Sequence, residues 1–423
     1  MHILLITQYW EPEQGVVQRR WQWINRALVK AGHELTVICP PPHYPSGVLT
    51  SSAPEHQSGA VDRSTPGVNV YRTSFREHDS SLISRIKDQW VIMVSQLTTC
   101  RTAVRDARRN GARIDVVCCT VPALPSAPVA YVLSRALRIP LVVELRDAWP
   151  EILEYLDEWK DPQPRELSIM RKVKIATFHM ILLTAGRALG HILRRADTII
   201  TTTESLAAMK RTTATGHVVT VRNRPDTRIP DCSTEPTPSG PLKVLYAGTV
   251  GRAQGLENAI EALRIAREKG TSLELRIAGG GAHLKRIKEM AQQHSLPVDF
   301  LGRIPFEEVS EQYRWCDTAL VHLQSWAPMS ATIPSKLFEA MKAEKHITAA
   351  VAGEAARIVS EAQVGHVVTP MDPEALAMLW TKLSRNRDLL RTSGNGTAWL
   401  ENEHTRESSE QDWITALERT LRC

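Results

Sequence analysis

The sequence predicts an α/β protein of two Rossmann-like domains facing across a cleft. Two series of short apolar runs alternating with helical stretches predict it, together with a proline-rich break between them. At 423 residues the chain exceeds what one hydrophobic core holds. In the first series the strands are Ile3–Thr7, Leu35–Ile38, Val68–Tyr71, Val116–Cys119, Leu141–Glu144 and Thr198–Thr201. Helices Val17–Ala31, Ser81–Asn110, Ala127–Ala136 and Arg165–Arg195 lie between most of them, as a parallel sheet covered on both faces requires. From Pro225 to Pro241 proline and small polar residues crowd together, which reads as a linker or hinge. The second series has strands Lys243–Ala247, Leu273–Ala278, Val298–Leu301, Thr318–His322, Ile347–Ala349 and His366–Thr369. The expected division is therefore 1–225, a linker at 226–241, 242–400, and a last helix over 401–423 that packs back on the N-terminal domain. Binding belongs at the carboxyl ends of the strands, in the cleft.

Composition narrows the class. Hydrophobic residues at 43% and charged residues at 23% are those of an ordinary globular protein. No run of about 18 apolar residues suggests a spanning helix. The opening Met1–Ile6 reads as a first strand rather than a signal peptide. Seven cysteines without a CxxC pair imply reduced, core-filling thiols and a cytoplasmic setting. Charge is uneven: residues 1–225 hold 29 Lys/Arg against 20 Asp/Glu, and the remainder is net acidic. The excess gathers on Ser81–Asn110, where Leu82, Ile86, Trp90, Met93, Leu97 and Val104 fall near one stripe among arginines. The segment Arg171–Arg195 repeats the theme with Phe178, Leu182, Leu189 and Ile192. Two readings stand: helices packing an apolar stripe on the sheet, or an edge that leans on an anionic membrane. Nothing in the pattern points to nucleic acid.

Two segments carry chemistry. Leu245 to Glu257 reads as a buried strand, a glycine-rich turn holding Arg252, and a helix start. Backbone N–H groups in such a turn approach an anion, and an arginine adds a fork suited to phosphate oxygens. Pro334-Ser335-Lys336-Leu337-Phe338-Glu339 opens a second helix with a hydroxyl, a cation and a carboxylate. Together they make a cradle for a sugar nucleotide: cations for the diphosphate, a carboxylate for the ribose. No Gly-x-Gly-x-x-Gly follows the first strand, which disfavours a nicotinamide dehydrogenase. No Asp-x-Asp pair or ligand cluster indicates a metal.

These segments belong to an ordered set that resembles the family 4 glycosyltransferases of GT-B fold, in the bacterial branch that builds O-antigen, colanic acid and other surface polysaccharides. The set comprises Gln8–Gly15 with Gln18–Trp21, Gly32–Val37, Pro42–Gly47, Glu144–Glu151, Ala247–Gly255, Ile277–Gly281, Phe300–Arg303, Ile333–Glu339 and Val364-Gly365. The resemblance implies a retaining transferase, with a nucleotide-sugar donor, UDP-linked, on the C-terminal half and the acceptor on the N-terminal half. It implies an acceptor hydroxyl on a cell-surface glycan precursor, free or polyprenyl-linked. No cofactor and no metal are implied beyond the donor itself, and the expected location is cytoplasmic, peripheral on the inner face of the membrane.

Residue by residue, the resemblance gives the following expectations. Gly15 and Gly251 bring backbone N–H groups to the donor. Arg252 matches the diphosphate-binding arginine, but Gln254 stands where the family often has a lysine, so Lys336 is expected to supply that cation, beside Ser335. Glu339 matches the second glutamate of the Glu, seven residues, Glu motif and accepts from the ribose, while Ala331 replaces the first. Arg303 lines the base pocket or is structural. Asp147, near Glu151, orients or deprotonates the acceptor hydroxyl, or else caps the following helix. His33 is read as a turn residue; His43 is left open. No histidine is assigned at the Thr120–Pro122 strand end. A same-fold nucleotide-sugar 2-epimerase and a catalytically impaired accessory protein remain alternatives.

Overall fold

The computed structural model describes residues 1–79, 82–122, 125–159, 169–235, 239–406 and 409–422. The chain forms two compact units, Met1–Arg222 with Ser408–Cys423, and Asn223–Glu407. The expected helix starts at Ser81 and Arg165, residues 236–238 of the proline-rich segment and Cys423 fall outside the described residues.

Unit 1 is built on strands β1 (His2–Ile6), β2 (Glu34–Cys39), β3 (Val61–Asp62), β4 (Val68–Arg72), β5 (Val116–Val121), β6 (Leu141–Leu145), β7 (Thr198–Thr201) and β8 (His217–Thr220). Their order is β3-β4-β2-β1-β5-β6-β7-β8, parallel except for the β3–β4 pair. The short edge strands β3 and β8 escape the sequence reading, because neither buries a continuous apolar run. The central strands are buried along their whole length, as a sheet covered on both faces demands. Helices α1 (Val16–Lys30), α2 (Leu82–Arg109), α3 (Ser126–Leu137), α4 (Ile169–Arg195) and α5 (Glu204–Arg211) connect them.

In α1 the inward positions Trp21, Ile24 and Leu28 follow helical spacing. Trp21 packs between Trp10 and Trp413, with ring centroids 6.3 and 5.2 Å away. A buried Arg20–Glu144 pair at 2.7 Å lies beside it, Glu144 also accepting from Trp21 Nε1 at 3.1 Å.

Helix α2 divides its apolar stripe between the two readings, with Val104 buried and Met93 and Leu97 half-buried. Ile86, Trp90 and Val94 point to solvent, Trp90 with 64% of its surface exposed, while Asp88, Ile92, Gln96 and Cys100 face the protein. Two polar side chains lie on the inner face: Asp88 accepts from the Arg76 N–H at 3.2 Å, and Gln96 donates to Ser126 at 3.2 Å while its Oε1 is buried without a partner among the described residues. Ile92, Cys100, Ala103 and Val104 pack inward with these polar groups among them, so periodicity alone does not tell which side of the helix is covered. On α4, Leu189 and Ile192 are buried while Met180, Ile181 and Leu183 are exposed; α3, between α2 and α4, exposes Val132.

Unit 2 carries β9 (Leu242–Ala247), β10 (Leu273–Ala278), β11 (Val298–Gly302), β12 (Thr318–His322), β13 (His346–Ala350) and β14 (Gly365–Val368), all parallel, ordered β11-β10-β9-β12-β13-β14. Around them lie α6 (Glu257–Glu268), α7 (Leu284–Gln293), α8 (Phe306–Trp315), α9 (Ser335–Lys342), α10 (Gly353–Glu361), α11 (Pro373–Arg385) and α12 (Asn395–Arg406). Leu263, Leu376 and Trp380 join the sheet residues Leu242, Val244 and Leu275 in one core. The last helix, α13 (Ser409–Arg422), belongs to unit 1, where Trp413, Ile414 and Leu417 complete the core around Trp21. The start of the proline-rich segment is not a free linker: Ile229 and Cys232 are buried, Cys232 N–H donates to Ala343 at 3.1 Å, and Arg228 stacks 3.9 Å from the Phe306 ring.

Candidate active site

Three glycine-bearing turns meet at the carboxyl end of the unit 2 sheet. The Gly248 N–H donates to Ala278 at 2.8 Å, Val250 to Gly280 at 2.9 Å, and Gly279 to Gly302 at 2.6 Å. Gly279 has φ +154°, and a Cβ there would lie 1.8 Å from the Gly248 carbonyl oxygen, so no other residue fits. Beyond Gly251 the chain makes a single 3-10 turn, Arg252–Gln254, before α6 begins.

That turn is anchored on both sides. The Gln254 side chain accepts from the Gly251 N–H at 3.1 Å, so this N–H, expected to face the donor, is already engaged within the turn. The Gln254 carbonyl accepts from His322 Nδ1 at 2.8 Å, and the Asn258 amide donates to His322 Nε2 at 2.8 Å. A carbonyl on one ring nitrogen and an amide N–H on the other require a neutral imidazole. Burial, with the Lys336 charge adding, pushes the His322 pKa down to about 4 and enforces that state. Gln324 N–H donates to the Ala253 carbonyl at 2.9 Å. Arg252 rides on this fixed turn, half-buried, and no hydrogen bond or ion pair of its guanidinium occurs among the described residues.

Lys336 reaches the same turns from α9, whose N-cap is Pro334. Its Nζ is buried without a hydrogen-bond partner among the described residues and stands 3.6 Å from the Tyr246 ring centroid. It lies against Gly248, where an added Cβ would come within 3.2 Å of it. Burial pushes its pKa down to about 7, with Glu339 opposing. Ser335 and Glu339 are half-buried on the same helix. Exposed Arg303 lays its side chain over Gly280, Nε 3.0 Å from where a Cβ would stand. Unit 2 thus gathers Gly251, Arg252, Arg303, Ser335, Lys336 and Glu339 at one sheet end. Tyr246 and His322, which the sequence reading took only as strand residues, support the two cations. Ala331 is buried in the 3-10 turn Ala327–Ala331 that leads to α9.

Gly15 and Asp147 belong to unit 1. Gly15 is the N-cap of α1, and the Gln18 side chain folds over it. Glu13 accepts from the N–H groups of His43 and Tyr44 at 2.6 and 2.7 Å and from Gln18 at 2.8 Å, fixing the loop. His43 donates from Nδ1 to Pro41 at 2.8 Å, a structural bond. Asp147 follows β6; burial raises its pKa, Arg146 opposing, and its carboxylate caps no helix among the described residues. Glu151 is taken by Lys210, with contacts of 2.5 and 2.6 Å. Among the described residues no group of three His, Cys, Asp or Glu side chains is placed to hold a metal ion, and no helix is long and apolar enough to cross a membrane.

Comparison with known proteins adds the following. Residues 15–223 match the family model for a Glycosyl transferase 4-like domain, and residues 233–397 that for Glycosyl transferases group 1. The chain is 32% identical over 137 residues to the Pseudomonas aeruginosa protein WbjE, named as a glycosyltransferase, covering 32% of this chain and 34% of that protein. It is 26% identical over 226 residues to Escherichia coli (strain K12) WcaL, named for colanic acid biosynthesis, covering 50% of this chain and 55% of that one. The matches thus span from a third to about half the length of these relatives. Among solved structures, sucrose-phosphate synthase from Thermosynechococcus elongatus superposes with a TM-score of 0.70 at 18% identity, over 99% of this chain and 98% of that one. Anabaena HepE, solved with UDP-glucose, gives 0.63 at 15% identity over 100% of both chains.

Proposed function

Because the chain belongs to the glycosyltransferases, its halves matching the 4-like and group 1 families, we propose that it transfers a sugar from a nucleoside-diphosphate donor to a hydroxyl of a surface-glycan precursor. The donor is UDP-linked, the acceptor is polyprenyl-linked, and the anomeric configuration is retained. The observation that carries this reading is the buried Lys336 amine, without a hydrogen-bond partner among the described residues, beside the anchored turn of Arg252. A charge buried there without an anion is costly, and a diphosphate supplies the anion that makes the ammonium stable. Arg252 and Lys336 then stabilise negative charge as the leaving group departs, and the fixed turn means that little reorganisation is needed at that moment. Glu339 holds the ribose hydroxyls, Arg303 flanks the base, and Ser335 adds a hydroxyl at the helix start. Asp147, whose carboxyl pKa burial raises, orients the acceptor hydroxyl, and Gly15 approaches the donor. The names of WcaL and HepE's ligand support surface glycans and UDP respectively.

The test is to incubate the purified chain with UDP-, GDP- and ADP-sugars and polyprenyl-diphosphate acceptors, with and without EDTA. Transfer from a UDP-sugar that persists in EDTA, with retention in the product, is expected. Donor binding without transfer or hydrolysis would instead make the chain an accessory protein, and interconversion of free nucleotide sugars would make it an epimerase.

We also read the exposed residues Ile86, Trp90, Val94, Val132, Met180, Ile181 and Leu183 on α2, α3 and α4 as a membrane-facing patch, placing the enzyme peripherally on the cytoplasmic leaflet. Arg85, Lys87, Arg101 and Arg105 on α2 are exposed too and suit anionic headgroups. Co-sedimentation with phosphatidylglycerol vesicles, reversed by high salt, supports this; equal binding to neutral vesicles, or none, refutes it.

A further inference from the structure

Tyr246 is wholly buried at the end of β9, and the Lys336 side-chain nitrogen sits on its ring face. That nitrogen can donate hydrogen bonds, and no acceptor takes one from it among the described residues. The titratable groups around it are Glu339 on its own helix, His322 at the end of β12 and Tyr246. His322 is neutral and committed to Gln254 and Asn258; the Tyr246 hydroxyl donates to the Thr249 carbonyl at 2.5 Å. The ring is therefore the contact that fixes where the amine stands, and Gly248 closes the space beside it.

Resting on the donor-site reading above, we infer that Tyr246 is a positioning residue holding the Lys336 amine in the diphosphate cradle, and that a nucleoside diphosphate binds there together with one proton. The neutral amine takes that proton from solvent and becomes the ammonium that faces the phosphate oxygens. Desolvation favours the neutral amine, with a pKa down at about 7. A bound dianion reverses that preference, so the proton and the ligand stabilise each other by linkage. The Tyr246 ring contributes by favouring the cation over the neutral form.

Isothermal titration of the full chain with UDP, GDP and ADP at pH 8, in buffers of different ionisation enthalpy, tests this directly. At pH 8 the terminal phosphate is already ionised, its pKa lying near about 6. The wild-type protein is expected to take up roughly 0.9 of a proton per UDP, since a group of pKa near 7 is then mostly neutral. Lys336→Arg, permanently charged, binds with no uptake. Tyr246→Phe keeps both uptake and affinity. Tyr246→Leu weakens UDP binding about three- to thirtyfold at pH 8, the range of a desolvated cation–ring contact. That loss narrows at pH 6.5, where the amine is protonated without help. UDP binding by the wild type without proton uptake, or uptake that persists in Lys336→Arg, overturns the inference and leaves the donor site standing. A Tyr246→Leu loss equal at both pH values overturns the positioning role. Failure of all three diphosphates to bind overturns the donor site itself.

Discussion

Arg252 and Lys336 share a site but are held by different means. Arg252 is delivered by a turn whose carbonyls are bonded to His322 and Gln324; Lys336 is delivered by a helix start and steadied by an aromatic face. Arg252→Ala should lower turnover roughly a hundredfold, about 3 kcal/mol, with a smaller effect on donor binding, because the interaction grows as the diphosphate departs. Lys336→Ala should do likewise, and the double variant should fall short of the additive loss, since both act on one leaving group. Glu339→Ala should instead raise the donor KM. Steady-state kinetics on folded variants checks all of this; near wild-type turnover in Arg252→Ala defeats the cradle. Both cations were legible because glycine turns and first-turn prolines announce helix starts. The supporting residues were not. Tyr246 and His322 sit in strands, where a tyrosine or histidine reads as core, and only the fold shows which face each presents. The Gln254 side chain was legible only as a missing lysine, whereas its bond to the Gly251 N–H depends on turn geometry.

At the scale of single elements, the strands were the most legible part, because full burial writes an apolar run into the sequence. Helix α2 left two readings open because periodicity reports a stripe without saying which side of it is covered. Its inner face carries Asp88 and Gln96, each bonded, and its outer face carries Trp90. Trp90→Glu should therefore leave thermal stability nearly unchanged, within about 0.5 kcal/mol, while sharply reducing binding to anionic vesicles. Ile92→Ala, on the inner face, should cost about 2–4 kcal/mol and leave vesicle binding of the folded protein intact. Denaturant melts and co-sedimentation on the same two proteins separate the roles. If Trp90→Glu unfolds the protein and Ile92→Ala does not, the assignment of faces is wrong.

For the whole molecule, acid stresses unit 2 through its buried histidines. His346 is buried, bonded to Thr318 and to His366 at 2.8 and 2.9 Å, and burial takes its pKa from 6.5 to about 3. The unfolded chain binds this proton below pH 6.5, whereas the folded chain resists until about pH 3. Stability contributed by neutral His346 is thus complete above pH 6.5 and lost as pH falls, by up to about 1.4 kcal/mol per unit. His322 pulls the same way between 6.5 and about 4. Thermal melts at pH 7.5 and 5.5 should show this loss, and His346→Gln, though less stable, should show a smaller one. An equal loss in both proteins would assign the acid sensitivity elsewhere. Unit 1 depends instead on α13: Trp413→Ala should cost about 3–5 kcal/mol, read as an earlier unfolding transition of unit 1. The sequence placed a helix at the right end of the chain, but the Trp21–Trp413 contact joins residues too far apart for any local pattern to announce.

That contact also sets an order in time. The core around Trp21 needs Trp413, while all of Asn223–Glu407, an entire second unit, is made between them. At roughly 5–20 residues per second, the first unit waits roughly ten to forty seconds for its last helix, while the second can fold without it. During that wait the face of α1 that receives α13 is bare, with Trp21 at its centre. The unit that is synthesised first is thus the one that is finished last.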